Sequence, residues 1–243
     1  MSYGLISDIH GNLEALEAVL AELKDVDGFL CMGDLVGYGA DPKACVERVR
    51  ALPKVICVAG NHDLAAIGGY DRSRFNPFAS AAIVWTAEQL SQEHKDYLAS
   101  LPRTAHADSA VLVHGSLPQE MAYITSPNEA RMCFDVMPGD LTLIGHTHVT
   151  EYYRTRSGSR LPEQTPLSSG GIIELKKDVR YIVNPGAIGQ PRDGNAAASF
   201  ATWDVEAGTI DVRRIPYDIE RAQAKMREAH LPDSLWERLS LGR

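Results

Sequence analysis

The segment Gly145-His146-Thr147-His148 places two imidazole side chains, two residues apart, at the end of an apolar run. That run, residues 141–144, has the length and composition of a short buried strand. Alone, a G-H-x-H segment is a weak signal. It gains weight because polar segments follow apolar runs in the same way at four earlier places. These segments are Asp8-Ile9-His10, Gly33-Asp34, Gly60-Asn61-His62-Asp63 and His114-Gly115.

The first 63 residues alternate between apolar strands and amphipathic helices. Strands are predicted over 3–7, 28–32 and 55–59, and helices over 13–23 and 42–52, the second with Asp41-Pro42 at its start. This alternation is typical of right-handed βαβ crossovers and a parallel sheet. Because functional groups in such sheets gather beyond the carboxyl ends of the strands, we expect one sheet to bring the polar segments to one edge.

The rest of the chain changes character after His148. Before it, Gly68-Gly69 and Asn76-Pro77 predict a loop over 64–78, followed by helices over 79–90, 91–100 and 126–137 and strands over 110–113 and 141–144. After it, strands over 151–155, 171–175, 179–183, 199–205 and 209–215 indicate an antiparallel second sheet packed on the first. A last helix is predicted over 219–229. No domain boundary is visible, so residues 1–243 are predicted to form a single domain.

Composition limits the partners of the chain. The 243 residues carry a net charge of −8, which argues against binding to a nucleic-acid backbone. A small phosphorylated substrate remains compatible, because bound metal ions can supply positive charge locally. No apolar run approaches the ~20 residues of a membrane span. The four cysteines show no C-x-x-C spacing and no leader segment is visible, which predicts reduced thiols and a cytoplasmic protein. No feature predicts an oligomeric state.

The side chains of the five polar segments suit a pair of divalent metal ions. Asp34 is the candidate bridge, since one carboxylate between two cations reduces their repulsion. Asp8 and His10 are two residues apart and can face one ion. Mixed nitrogen and oxygen ligands suit Mn, Fe or Zn and do not select among them. Two such ions ~3.5–4 Å apart would hold a bridging hydroxide for in-line attack on a phosphate ester. The other candidate ligands are Asn61, His114, His146 and His148.

His62 and Asp63 are predicted to act in catalysis. An imidazole beside the candidate ligand Asn61 can donate a proton to the leaving alkoxide, a contribution of roughly 10²–10⁴-fold. Asp63 can fix the tautomer and orientation of His62. Both roles are inferred from adjacency in the sequence.

Each polar segment also has a simpler explanation. Asn12 can cap a helix, Gly33-Asp34 can be an ordinary loop, Gly60-Asn61-His62-Asp63 can be a turn, and His114 can be a structural histidine. Taken together these explanations fail, because unrelated turns would not place ligand types at five strand ends. Five of the eight histidines fall in these segments, and the other three are predicted to be structural or at the surface.

In order along the chain, the segments resemble the D-x-H, G-D-x-x-[DG], G-N-H-[DE], H and G-H-x-H motifs of the calcineurin-like metallophosphoesterases. The similarity covers residues 3–148. Asn184-Pro185-Gly186 and residues 189–194 are similar to the small bacterial and archaeal phosphodiesterase-like branch. The resemblance implies an α/β fold, a four-layer α/β/β/α sandwich of two mixed sheets flanked by helices.

The resemblance also implies two ligand sets that share Asp34, with His62 as the proton donor. One departure is that Gly37-Tyr38-Gly39 stands where the protein phosphatases of the family have a second aspartate and an arginine. This favours a small-molecule or diester substrate. The first implied set is Asp8, His10, Asp34 and His148. The second is Asp34, Asn61, His114 and His146.

The predicted function is hydrolysis of a small phosphodiester or nucleotide. The alternatives are a phosphomonoesterase, a dinucleoside polyphosphate hydrolase, and a non-catalytic scaffold, which the complete ligand set argues against. Arg192 is a candidate contact for a phosphoryl oxygen. Tyr38, Arg74 and Asn76 are candidates for the mouth of the site, although a solvated arginine and local loop packing would explain them as well.

Overall fold

The computed structural model describes residues 1–243 and has two six-stranded sheets at its centre. The strands are β1 (Ser2–Ile6), β2 (Gly28–Cys31), β3 (Val55–Cys57), β4 (Thr104–Ala107), β5 (Ala110–Val113), β6 (Leu141–Leu143), β7 (Glu151–Arg156), β8 (Glu163–Pro166), β9 (Gly171–Glu174), β10 (Val179–Asn184), β11 (Ala198–Asp204) and β12 (Thr209–Ile215). The first sheet has the order β3-β2-β1-β11-β12-β9 and the second has β4-β5-β6-β10-β7-β8. Both sheets mix parallel and antiparallel pairs.

Eight α-helices surround the sheets. They are α1 (Leu13–Glu22), α2 (Pro42–Arg50), α3 (Asn61–Ala66), α4 (Pro77–Gln89), α5 (Gln92–Ser100), α6 (Pro127–Val136), α7 (Ile219–Glu228) and α8 (Asp233–Glu237). Short 3-10 helices cover Arg72–Arg74 and Arg238–Leu241. None of these helices has the length and apolarity needed to cross a lipid bilayer.

The main core lies between the two sheets. Leu5 and Leu30 of the first sheet and Leu112, Leu143 and Val183 of the second belong to one buried apolar cluster, and each is completely buried. Burying a leucine or valine side chain contributes roughly 1.5–3 kcal/mol, so this face-to-face contact holds the sheets together. Strand alternation directs the opposite side chains outwards, toward the helices.

Helices cover the outer face of each sheet. Leu16 of α1, Val46 of α2 and Leu98 of α5 pack in one cluster on the first sheet. Phe134 of α6 packs with Tyr153 on the second. The layers therefore run helix, sheet, sheet, helix, and the predicted four-layer sandwich of two mixed sheets is confirmed.

The predicted distribution of strands between the sheets is wrong. The late strands do not form the second sheet alone, because β11 pairs antiparallel with β1 and brings β12 and β9 into the first sheet. Phe200 and Ala201 of β11 are buried on opposite faces, as a central strand requires. The early strands β4, β5 and β6 instead belong to the second sheet with β10, β7 and β8. The five polar segments therefore follow strands of two sheets and not of one.

The loop predicted over 64–78 is also wrong in part. Helix α3 begins at Asn61 and includes Leu64-Ala65-Ala66, while α4 begins at Pro77 with Asn76 as its cap. Helix α3 forms because Leu64, Ala65 and Ala66 have high helix propensity, and because the Asp63 carboxylate lies in the first turn, where negative charge is favoured. The sequence analysis did not predict β4, β8 or α8. The other predicted helices and strands are present with bounds that differ by at most two residues.

Candidate dinuclear metal centre

The candidate ligands meet where the strands of both sheets end. Asp8 follows β1, Asp34 follows β2 and Asn61 follows β3, all in the first sheet. His114 follows β5 and His146 follows β6, in the second sheet. All seven predicted ligands are buried, with at most 7% of any residue exposed. Six of them form two groups able to hold a metal ion, and Asp34 belongs to both.

The first group consists of Asp8, His10, Asp34 and His148, the set that the resemblance implied. The Nε2 atoms of His10 and His148 are 3.0 Å apart. His148 Nε2 is 3.3 Å from an Asp8 oxygen, and His10 Nε2 is 3.6 Å from Asp34 Oδ2. Two imidazole nitrogens and two carboxylates therefore point at a common centre.

The second group consists of Asp34, His114 and His146, with Asn61 beside them. His114 Nε2 lies 3.2 Å from Asp34 Oδ2. The same nitrogen is 3.1 Å from Asn61 Oδ1 and 3.1 Å from His146 Nδ1. Asp34 Oδ2 thus lies between the two groups, as a bridging ligand requires.

The tautomers of three histidines are fixed by backbone carbonyls. Nδ1 of His10 donates to Val36 O, Nδ1 of His114 to Met32 O and Nδ1 of His148 to Gln190 O, at 2.6–3.1 Å. A carbonyl only accepts, so the neutral ring keeps its proton on Nδ1 and turns the lone pair of Nε2 inwards. Such hydrogen bonds are the usual support of metal-bound histidines.

This donor set fits divalent cations. The facing Nε2 lone pairs of His10 and His148 have no proton to share, and the carboxylates of Asp8 and Asp34 lie beside them without a lysine or arginine partner. Buried charges require a partner or a metal. Burial, together with the charge of Asp34, raises the pKa of Asp8 to about 7. A cation between the groups would relieve this repulsion.

The Asp34 carboxylate also acts on His114. Burial lowers the pKa of His114, but the charge and hydrogen bond of Asp34 outweigh burial and raise it to about 10. A cation held by Asp34 and His114 would compete with a proton for the His114 Nε2 atom.

The backbone at the ligands is strained. Asp8, His10, Asp34, His146 and His148 all have positive φ, between 50° and 68°, and they account for half of the ten non-glycine residues of this kind. Left-handed backbone at non-glycine residues costs of order 1–3 kcal/mol each and concentrates at functional sites. The fold therefore holds these side chains in place at a cost in stability.

Asp63 has a different contact from the one that we predicted. Its two carboxylate oxygens accept the backbone N–H groups of Asp34, Leu35, Val36 and Gly60, at 2.8–3.2 Å. It makes no hydrogen bond to the imidazole of His62, whose buried Nδ1 has no partner. The predicted orienting role is therefore wrong for this structure. The first turn of α3 directs the Asp63 carboxylate back to the segment that carries Asp34.

His62 lies at the edge of the ligand groups. Its ring centroid is 4.4 Å from that of Tyr38, 4.9 Å from that of Phe75 and 4.7 Å from that of His10. Its backbone N–H donates to Asp34 Oδ1 at 2.8 Å. Burial lowers the pKa of His62 to about 4, and the charge of Arg192 adds to this effect. The neutral ring faces a cavity beside the candidate ligands.

Gly37 provides the space for this ring. It has φ of +89°, and a Cβ atom there would lie 2.4 Å from His62 Nδ1. The glycine that distinguishes this chain from the protein phosphatases is therefore required by the position of His62.

A cavity of about 210 Å³ opens above the ligands and His62. All four predicted substrate contacts line it. The buried Tyr38 hydroxyl accepts from Arg192 at 3.2 Å. Arg74 is exposed and stacks on Tyr70, and Asn76 caps α4 through its side chain. A larger surface cavity of about 490 Å³, between α6 and β7, contains none of the candidate ligands.

Tyr123 and Arg238 are among the residues of the cavity that were not predicted from the sequence. The ring of Tyr123 stacks on His146 with 3.9 Å between centroids and 9° between planes. Arg238, from the 3-10 helix near the C-terminus, also lines the cavity. No motif surrounds either residue. The only signal for Tyr123 was its place shortly after His114, at the end of β5.

The comparisons with known proteins agree with this arrangement. The sequence model of the calcineurin-like phosphoesterase superfamily domain matches residues 1–208, so the chain belongs to this superfamily. The superfamily is metal-dependent, and the Asp and His cluster is able to bind metal. Membership of a phosphoesterase superfamily supports a hydrolase.

Particular relatives extend over different parts of the chain. The crystal structure of a metallophosphoesterase from Sphaerobacter thermophilus is 42% identical, with a TM-score of 0.88 over 100% of this chain and 99% of that one. An uncharacterised protein of Methanocaldococcus jannaschii is 37% identical over 98% of this chain and 97% of its own length. A symmetrical bis(5'-nucleosyl)-tetraphosphatase of Pectobacterium carotovorum subsp. carotovorum is 29% identical over 58% of this chain and 57% of its own length.

Proposed function

We propose that the protein is a dinuclear metal-dependent phosphoesterase that hydrolyses a small phosphodiester or a nucleotide. The observation that carries the proposal is the pair of buried ligand groups that share Asp34, with His62 beside them in one cavity. The two ions are proposed to be Mn, Fe or Zn, since the mixed oxygen and nitrogen donors suit all three.

The first ion would be held by Asp8, His10, Asp34 and His148, and the second by Asp34, Asn61, His114 and His146. When bound, two divalent cations neutralise charge on phosphoryl oxygens and lower the pKa of water, which supplies the nucleophile. The protein fixes the donor geometry in advance through backbone hydrogen bonds to the histidines.

His62 is proposed to protonate the leaving oxygen of the substrate. Its backbone is fixed by Asp34, its Nδ1 is buried against Gly37 without a hydrogen-bond partner, and the residue lines the cavity. Burial lowers the pKa of the His62 ring to about 4, so the protonated form needs support from a negative charge nearby. The negative charge of a bound phosphoester raises the pKa of a neighbouring imidazole, so substrate binding itself would prepare the donor.

Arg192 is proposed to orient a non-bridging phosphoryl oxygen. Its guanidinium lies 5.6 Å from the Tyr38 ring centroid and donates to the Tyr38 hydroxyl, which holds it at the cavity wall. Its backbone N–H donates to His148 O at 3.0 Å, so the segment that carries Arg192 is tied to the ligand groups.

A phosphomonoester is a second candidate substrate within the same chemistry. A dinucleoside polyphosphate is a third. It is supported by the distant similarity to the symmetrical tetraphosphatase and by three arginines at the cavity, Arg74, Arg192 and Arg238. The cytoplasmic location, the single domain and the absence of a nucleic-acid or membrane partner stay predictions.

The direct test is turnover by metal-stripped protein to which Mn²⁺, Fe²⁺, Zn²⁺ or Mg²⁺ is returned. A bis-nitrophenyl phosphate diester and a nitrophenyl phosphate monoester are compared under the same conditions. We expect metal-dependent cleavage that favours the diester and falls to the background rate in Asp34→Asn. The exposed Asp135→Asn on α6 is the matched control. Absence of turnover on both esters and on a dinucleoside tetraphosphate, with every metal, would contradict the proposal.

A further inference from the structure

Two arginines from distant parts of the chain meet around one aromatic ring. The guanidinium carbons of Arg192 and Arg238 lie 5.6 Å and 5.7 Å from the ring centroid of Tyr38. Both arginines line the cavity above the candidate metal ligands. Two like charges are therefore held close together beside the proposed reaction centre.

Neither guanidinium is paired with an aspartate or glutamate side chain. Arg192 donates only to the neutral groups Tyr38 Oη and Gln190 Oε1, and its buried Nε has no partner. Arg238 donates through Nε to the main-chain oxygen of Arg243, the last residue of the sequence, and its two terminal nitrogens make no hydrogen bond within the protein. No aspartate or glutamate side chain forms a salt bridge with either arginine. Partly buried cations without counter-ions are costly, which indicates that an anion belongs between them.

The electrostatics of the cavity agree with a missing anion. Burial lowers the pKa of Arg238, and the charge of Arg192 lowers it further. The guanidinium nevertheless stays protonated at neutral pH. An anion that contacts both arginines would remove their repulsion and use their free donors.

The distance to the metal centre indicates which anion this is. The Tyr38 ring that both arginines face is 4.6 Å from the ring of the candidate ligand His10 and 4.4 Å from that of His62. A group held there lies next to the phosphoryl group under attack. Guanidinium groups bind phosphate oxygens in bidentate geometry.

We propose that Arg192 and Arg238 together bind a second phosphoryl group of the substrate, adjacent to the scissile one. The preferred substrates would then contain a phosphoanhydride, as in a nucleoside di- or polyphosphate. This inference rests on the proposed phosphoesterase function and narrows its substrate class. Arg238 also lies beyond residue 208, where the match to the superfamily domain ends. The C-terminal segment would therefore add substrate selectivity to a shared catalytic centre.

The test compares binding of inorganic pyrophosphate and inorganic phosphate by calorimetry, with the metal-loaded protein in saturating Mn²⁺. Pyrophosphate also forms complexes with free Mn²⁺. This lowers the apparent affinity equally for all variants measured at one Mn²⁺ concentration, so the ratio between variants is unaffected. Arg238→Gln keeps most of the side-chain length and removes the charge. Arg227→Gln is the matched control, since Arg227 is exposed on α7 and stacks on Trp236 outside the cavity.

We expect Arg238→Gln to weaken pyrophosphate binding about tenfold or more, as loss of a charge-assisted hydrogen bond does, and phosphate binding by less than about threefold. Arg227→Gln should change neither. An unchanged pyrophosphate affinity, or equal losses for both anions, would overturn the inference. If Arg238→Gln does not fold, Arg238→Lys replaces it, with a severalfold selective loss expected because lysine lacks the planar fork.

Turnover of bis-nitrophenyl phosphate by the wild-type protein is measured separately. This ester has a single phosphoryl group, so it reports on the proposed hydrolysis and not on the second anion site. Selective loss of pyrophosphate binding without any wild-type turnover would support the arginine pair and count against the phosphoesterase function. If the wild-type protein hydrolyses the ester but Arg238→Gln weakens binding of both anions equally, the phosphoesterase function is supported and the arginine pair is not.

Discussion

The metal-ligand groups and the cavity above them are built in opposite ways. The ligands are buried, strained in their backbone and fixed by hydrogen bonds to main-chain carbonyls. In the cavity mouth, Tyr123 is 51% exposed, and neither Arg192 nor Arg238 pairs with an aspartate or glutamate side chain. The donors of the first region suit cations, whereas the arginines of the second suit an anion. The contrast indicates that the ligand groups determine the reaction and the mouth determines the substrate.

The largest effect that separates the two regions is expected from His62→Ala. This change removes the proposed proton donor and leaves every ligand in place. We expect turnover of an ester with a poor leaving group to fall roughly 10²–10⁴-fold while both ions remain bound. Kinetics with alkyl and nitrophenyl leaving groups, together with metal analysis, check this.

The loss should be smaller for the nitrophenyl ester, because a good leaving group needs less protonation. His106→Ala is the matched control, since His106 is an exposed residue of β4. Equal losses for both leaving groups would argue against a proton donor, and loss of a metal ion would assign His62 to the ligand support.

A smaller effect, on metal affinity, is expected from Asp63→Asn. The aspartate accepts four backbone N–H groups around Asp34, and an asparagine offers only one oxygen to them. We expect metal affinity to fall about 10–100-fold, as for other residues that support ligands, with much less change in turnover at saturating metal. Metal titrations followed by activity measurements separate the two quantities.

A different result would contradict this account. If turnover of Asp63→Asn falls at saturating metal while its metal affinity is unchanged, Asp63 orients His62, as its place in the sequence predicted. Asp71→Asn serves as the control, because Asp71 is an exposed acid that caps a 3-10 helix through the same kind of hydrogen bond.

The sequence was sufficient to predict that the candidate ligands lie together, because each of them follows a strand within five residues. Short apolar runs that end in Asp8, Asp34 or His114 fix the position of each side chain within a few residues of a regular element. The resemblance supplied the pairing into two groups. The assignment of strands to sheets was not predictable in the same way. Strands β10 and β11 are both rich in apolar residues, and the neighbouring strand with which each one pairs depends on tertiary packing.

The mouth of the cavity was predicted only in part, because some of its residues come from distant segments. Arg238 reaches Tyr38 only because α7 and α8 pack against the segment that carries Tyr38, in one apolar cluster. The contact of Asp63 was missed for a related reason, since helix α3 begins where the sequence also allows a turn. Adjacency in sequence suggested His62, but the helical turn directs the carboxylate elsewhere.

The central claim is that this fold holds two cations through one shared carboxylate. The most direct measurement is the number of metal ions per chain, by mass spectrometric metal analysis after dialysis against Mn²⁺, in the wild-type protein and in Asp34→Asn. The account predicts two ions in the wild type and loss of at least one in the variant. Fewer than two ions in the wild type, or two retained in Asp34→Asn, would contradict it.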